Sequence, residues 1–142
     1  MDDNFIAKRN WPPGIDRDRL DAAFSALNTL GILALHNLPC CDTCAGAYIW
    51  SVAVPEAERA GRDVCGYAFY NEQTSDAVIQ GGNLVVVCGP IPEPEGREFR
   101  SAGKKVVSLV KRELKGQGLS PSHTSNEFAL RLRLNLKLSS SA

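Results

Sequence analysis

The sequence predicts an α/β domain: one compact unit with a mixed, mainly parallel sheet, helices packed on it, and an antiparallel pair of strands at the C-terminus. Three observations carry this expectation. Apolar residues recur at a 3.6-residue period at Leu20, Ala23, Phe24, Leu27 and Leu30, and again at Phe99, Val106, Leu109, Val110 and Leu114, as in helices that bury one face. Short continuous apolar runs, Ile32-Leu33-Ala34-Leu35 and Leu84-Val85-Val86-Val87-Cys88, alternate with those segments, as strands buried on both faces do. From Phe128 to Leu138 apolar and polar residues alternate, the pattern of a strand with one face in water.

Each element follows from local chemistry. Residues 1–14, ending in Trp11-Pro12-Pro13-Gly14, read as a flexible N-terminal segment, residues 15–138 as a single domain and residues 139–142 as a disordered tail. Asp16, Asp18 and Asp21 favour a helix N-terminus there because carboxylates offset its positive dipole end, and Gly31 supplies the stop. The first strand then ends at His36-Asn37. In the turn from Pro39 to Cys44, Asp42 or Thr43 can cap a helix carrying Ala45, Tyr48, Ile49 and Val52, which Pro55 interrupts or restarts because it has no amide hydrogen. Val64 to Tyr70, rich in aromatics, is a second strand, and Asn71 is suited to cap a helix over Glu72 to Gln80 that Gly81-Gly82 ends. A proline-stiffened loop from Gly89 to Gly96 follows the third strand. Arg97 to Lys115 is then strongly amphipathic, with Arg97, Arg100, Lys104, Lys111 and Lys115 opposite its apolar side. Gly116 and Gly118 close it, and Leu119 to His123 is a short strand able to pair with the last one.

Composition bounds the function classes. A chain of 142 residues, 44% hydrophobic, needs neither disulfide nor metal to fold, since at this length roughly 68% of the unfolded surface is buried. No apolar run approaches the ~20 residues of a membrane span, so a membrane partner is not expected. The polar, acidic start argues against a secretory signal, and five cysteines, an odd number, suit a reduced cytoplasmic protein. Zero net charge hides an asymmetry. Residues 1–96 hold six basic and thirteen acidic side chains, and residues 97–142 hold ten and three. A basic face of that kind can meet nucleic acid, yet no aromatics interleave with its charges to stack bases, which disfavours that partner.

If the first three strands are parallel, their carboxyl ends share one sheet edge, the usual place for a ligand in an open α/β sheet. That edge would gather His36, Asn37, Cys41, Cys44, Asn71, Gln73 and Cys88. The two-residue spacing of Cys41 and Cys44 lets both thiolates hold one metal or form one disulfide, and Cys40 adds a third sulfur. A zinc site wants four ligands, and the set on offer is Cys41, Cys44, Cys88 and His36. Cys65, at the far end of its strand, reads as a small core residue. The order strand, C-x-x-C, helix also suggests a thioredoxin-like site, but no proline leads into Leu84 to place a cis-proline strand opposite the thiols. No complete catalytic set emerges, neither His36 nor His123 can be assigned to a sulfur, and no glycine cluster matches a nucleotide fingerprint.

Several short motifs taken together resemble a bacterial family of domains of unknown function: Leu20 to Gly31 followed by Ile32, the turn Cys40-Cys41-x-Thr43-Cys44, Gly66-Tyr67-x-Phe69-Tyr70, Gln73, Ala77-Val78 and Gly81-Gly82. The resemblance covers Leu20 to Gly118. Ala45 stands where such domains often have glycine, and Ser120-Pro121-Ser122-His123 with a basic strand stands where they have an acidic, tryptophan-containing hairpin. The resemblance implies a fold and a bacterial cytoplasmic setting, and no activity. The expected function is a non-enzymatic binding or protein-interaction domain with no cofactor, its partner a protein or a small ligand. The alternative is a thiol-redox or zinc-binding protein using Cys40, Cys41 and Cys44.

Overall fold

The structure, a computed structural model, describes residues 17–39, 41–91, 97–125 and 130–134. The expected flexible segment 1–14, the tail 139–142, Cys40 and both ends of the alternating C-terminal run lie outside the described residues. Helix α1 (Arg17–Thr29) stops where Gly31 takes φ +85°, a conformation that costs glycine nothing. Strand β1 (Ile32–Leu38) leads through the cysteine turn into helix α2 (Asp42–Tyr48), a widened π turn (Ile49–Ala53) and helix α3 (Val54–Arg59). Pro55 cannot donate to the preceding turn, so the chain widens ahead of it and the helix restarts with proline in its first turn. Then come β2 (Gly66–Asn71), α4 (Glu72–Ile79), β3 (Leu84–Pro90), α5 (Arg97–Gly116), β4 (Ser122–Ser125) and β5 (Leu130–Leu134).

The five strands lie in the order β1-β2-β3-β5-β4. Only β1 and β2 are parallel; β2 with β3, β3 with β5 and β4 with β5 are antiparallel. The α/β class stands, as does the antiparallel C-terminal pair, but the sheet is mostly antiparallel rather than mainly parallel. Helix length explains the difference. A parallel return must run back the length of the strand, about 20 Å for a six-residue strand, whereas the eight residues of α4 rise only about 12 Å. The chain therefore turns at the strand end and comes back antiparallel. Between β1 and β2 the longer α2–α3 segment makes the parallel crossover.

Two cores flank the sheet. On one face α1 (Leu20, Ala23, Phe24, Leu27) and α5 (Val106, Val107, Val110, Leu114) cover Ile32, Ala34, Ala68, Tyr70, Leu84, Val86, Cys88, Leu132 and Leu134. On the other, Ala45, Ile49, Ala53, Val54 and Ala57 of the α2–α3 layer cover Leu33, Leu35, Leu38, Phe69 and Val87. The alternation expected in β5 holds where it is described: Leu132 and Leu134 are buried and Arg133 is exposed. As an edge strand β1 needs partners for its outward backbone groups, and Asn28 supplies them. Its Oδ1 accepts from Ala34 N at 3.2 Å and its Nδ2 donates to Ala34 O at 3.0 Å, much as a neighbouring strand would.

β1 does not end at His36-Asn37 as expected but passes through a bulge. Leu35 pairs with Phe69 and Leu38 with Asn71, three residues against two. Asn37 absorbs the extra residue at φ +49°, a left-handed conformation that asparagine tolerates better than most residues. Leu38 is thereby turned to the same face as Leu35.

At the start of β2 the α5 layer comes close: a Cβ on Gly66 would lie 2.6 Å from Val106 Cγ2 and 3.0 Å from both Gly89 O and Ile32 Cδ1. Gly66→Ala should therefore cost about 1–3 kcal/mol in a denaturant titration through overpacking. Gly46→Ala, where a Cβ meets nothing within 4 Å on α2, should gain up to ~1 kcal/mol from helix propensity. Equal responses at the two positions would contradict the helix–sheet contact.

Candidate functional site

The buried polar side chains among the described residues, His36, Asn37, Asn71 and Ser75, all gather where β1 and β2 end and α4 begins. Burying a polar group costs free energy unless it is bonded, so such a cluster must be organised internally or by a ligand. Asn71 is the expected cap of α4: its Oδ1 accepts from Thr74 N at 3.1 Å. Its amide nitrogen donates to Asp42 Oδ1 at 2.7 Å, and the other oxygen of Asp42 receives Arg131 Nη2 of β5 at 2.8 Å. Asp42 therefore does not cap its own helix. Cys41 occupies the N-cap position of α2 with no side-chain cap bond, against the expectation for Asp42 or Thr43. The Asn37 side chain reaches α4, where Ser75 Oγ donates to its Oδ1 at 2.7 Å, while its Nδ2 has no hydrogen-bond partner.

His36 faces the α1 side of the sheet. Its Nδ1 is 2.7 Å from the Tyr70 hydroxyl, and its Nε2 is 3.1 Å from Asp21 Oδ1 of α1, a charge contact outside hydrogen-bond alignment. Phe24 lies against the imidazole at 4.5 Å between centroids, and the Tyr70 ring stands edge-on to it at 5.3 Å. With both nitrogens facing partners and the ring 5% exposed, His36 ties α1 to β1 and β2.

The predicted edge set is thus divided. His36, Asn37, Cys41, Asn71 and Gln73 do lie around the ends of β1 and β2, with Cys44 exposed one turn into α2 and Gln73 exposed on the first turn of α4. Cys88 does not join them, because β3 runs antiparallel and places it beside Ala68 near the other end of β2, inside the α1–α5 core. Burial pushes its thiol up to about 12, with the Lys111 ammonium pulling the other way. Cys65 is exposed rather than a core residue. The four-ligand set Cys41, Cys44, Cys88 and His36 is split between two faces of the sheet, and among the described residues no three of His, Cys, Asp or Glu come together as a metal group.

Sequence reasoning missed Asp21, Asp42, Ser75, Tyr70 and Arg131 as members of this polar seam. Asn71 carried a local signal, a capping residue ahead of a helical period. Arg131 lies 89 residues from Asp42, and no spacing rule connects them. Elsewhere α5 presents Lys111, Arg112 and Lys115 around a shallow open depression of about 380 Å³ with Ser108. No described helix is long and apolar enough to cross a membrane.

Residues 1–134 match the model of a family described as Domain of unknown function (DUF6891), and the chain belongs to that family. The family resemblance expected from the motifs is therefore borne out. Comparison with curated proteins finds no match.

Two measurements check this account of the site. Tyr70→Phe should cost about 1–3 kcal/mol in urea by removing the hydroxyl that faces buried Nδ1, and His36→Phe should absorb part of that cost, with about 0.5–3 kcal/mol of coupling across the double-mutant cycle. Additive losses would show that the pair is not linked. At pH 8 a thiol reagent should label Cys44 and Cys65 in the native protein, whereas Cys88, whose thiol titrates near 12, should label only on unfolding. Because the folded pKa of Cys88 lies above the unfolded value of 9.0, its contribution to stability is intact below that value and is lost as pH rises from there towards 12.

Proposed function

We propose that this member of the family is a non-enzymatic domain that binds another protein. One observation carries the reading: among the described residues, the partly buried apolar side chains packed on a core gather on one side of the sheet, although Leu30, just past the end of α1, is also 43% exposed. Around the α2–α3 core, Tyr48, Val64, Tyr67, Val85 and Ile91 are only partly buried, and Trp50, 39% exposed, stands beside them. Against the α1–α5 core the partly buried set is Leu109 alone among the described residues. A set of partly buried side chains that includes Trp and Tyr has the composition of a protein-binding surface. The polar seam fits the same reading, since Asp42, Asn71 and Arg131 are engaged with one another, Asn37 with Ser75, and His36 with Tyr70 and Asp21. A reducing bacterial cytoplasm is the setting that the odd number of cysteines suits.

A second reading has its own support. Cys41 begins α2 and Cys44 follows one turn later at its N-terminus, the arrangement a dithiol or a metal chelate uses. The two readings part on one experiment. The double variant Cys41→Ser, Cys44→Ser should unfold within about 1 kcal/mol of the wild type and should still form the complex with the protein that co-purifies with the wild type, rebuilt from both purified components. One zinc per chain in the reduced protein, with unfolding on chelation, would establish the thiol reading instead. So would a Cys41–Cys44 disulfide that exchanges reversibly at cytosolic potentials.

A further inference from the structure

Among the described residues, no second layer lies over part of one sheet face. The α2–α3 layer lies over β1 and β2, and its core reaches only as far as Val87 of β3. Beyond it on the same face come Val85, half-buried, and Arg131 and Arg133 of β5, which point away from the α1–α5 core because they alternate with Leu132 and Leu134. Arg133 is exposed opposite Val85, and Ser122 of β4, its register partner, is exposed as well.

At the other end of this strip the Tyr67 ring lies across Gly89. A Cβ at Gly89 would come within 2.6 Å of the Tyr67 hydroxyl, so glycine is what lets the ring lie down on the neighbouring strand. Trp50, carried out by the π turn, meets Tyr67 edge-on at 6.0 Å between centroids. Tyr67 is in register with Gly89, and Arg133 with Val85, so the strip from the aromatic pair to the arginine is four residues long and two strands wide, on the order of 16 Å.

We infer that this strip, from Trp50 and Tyr67 across Val85 to Arg133, takes an amphipathic acidic helix of the partner protein, laid beside the α2–α3 layer. The inference rests on the protein-binding reading above. A sheet face is stable when a second layer covers it, and one helix fills the width left over β3 and β5. At 1.5 Å per residue, about 11 residues span the strip, with apolar side chains at i, i+3, i+4 and i+7 meeting the aromatic end and Val85. The charge preference comes from Arg133. Arg131 is held by Asp42 in the floor of the strip, and Arg133, exposed, is placed to receive a carboxylate near the helix end.

The test uses the full chain with Trp11→Phe, so that tryptophan emission reports Trp50 alone. The probes are two amphipathic helical peptides of about 14 residues with the same leucine stripe, one with glutamates and one with lysines on the polar face. The glutamate peptide should shift the Trp50 emission and bind at least about tenfold more tightly than the lysine peptide. Arg133→Glu should reverse that order. In the chain retaining Trp11, Trp50→Ala should weaken the glutamate peptide by about tenfold or more, measured by anisotropy of a label on the peptide, with an unchanged circular dichroism spectrum. Equal binding of the two peptides, binding of neither, or an unchanged preference in Arg133→Glu would overturn the inference. Concentration-dependent dimerisation abolished by Trp50→Ala would overturn it as well, by showing that a second copy covers the strip. If the rebuilt natural complex survives Trp50→Ala and Arg133→Glu, the strip is the wrong surface while the protein-binding reading stands. If no protein complex forms and the zinc or disulfide result is positive, that reading fails too.

Discussion

A single extra residue in β1 decides which side of the sheet each strand-end side chain meets. With Asn37 held at φ +49°, Leu38 joins Leu35 under α2, and His36 remains on the α1 side with Phe24 and Tyr70. Without the bulge Leu38 would point to the opposite face, because strand side chains alternate strictly. The bulge also turns the Asn37 amide to Ser75 on α4. Both layers and the short helix at the sheet end thus depend on one backbone conformation.

The polar seam at this end does what a hydrophobic contact cannot, because it selects partners by geometry. Arg131 brings β5 to Asp42, Asp42 brings α2 to Asn71, and Asn71 begins α4. Three segments distant in sequence meet through two side-chain bonds. On the other face the Asp21–His36–Tyr70 contacts join α1 to the parallel pair of strands. Buried polar groups of this kind add modestly to net stability but penalise misarranged alternatives heavily, since each would leave a donor or acceptor unpaired. At this end, where an α/β sheet usually holds its ligand, Asp42, Asn71 and Arg131 bond one another and Asn37 bonds Ser75.

Uneven coverage of the sheet follows from the same topology. A long crossover carries α2 and α3 over β1 and β2 as far as Val87 of β3, whereas α4 is too short to cross, and among the described residues β5 and the start of β3 are covered from the α1–α5 side. Of the basic residues of the C-terminal region, Arg131 and Arg133 then fall on this face, near Trp50 and the half-buried Tyr67, whereas Lys111, Arg112 and Lys115 lie on α5 on the other side of the sheet. In the sequence those charges and aromatics stand far apart, with Trp50 and Tyr67 in the acidic portion and Arg131 and Arg133 near the end. Folding places them along one strip.

Where secondary structure has a local cause, the sequence alone determined it. The helical periods, the stop at Gly31, the Asn71 cap, the restart at Pro55, the Gly81-Gly82 turn and the buried face of the last strand were all legible, because each depends on residues within one or two turns of chain. The expected membership in a family of domains of unknown function also held. Strand direction was not legible, and with it went the position of Cys88. An apolar run such as Leu84–Cys88 is compatible with either direction, and the outcome was set by the reach of the connecting helix. The Arg131–Asp42 pair, the enclosure of His36 and the exposure of Cys65 and Trp50 were likewise decided by tertiary structure. They express packing between segments that share no local pattern, and only the arrangement of layers determines which side chains face one another and which face water.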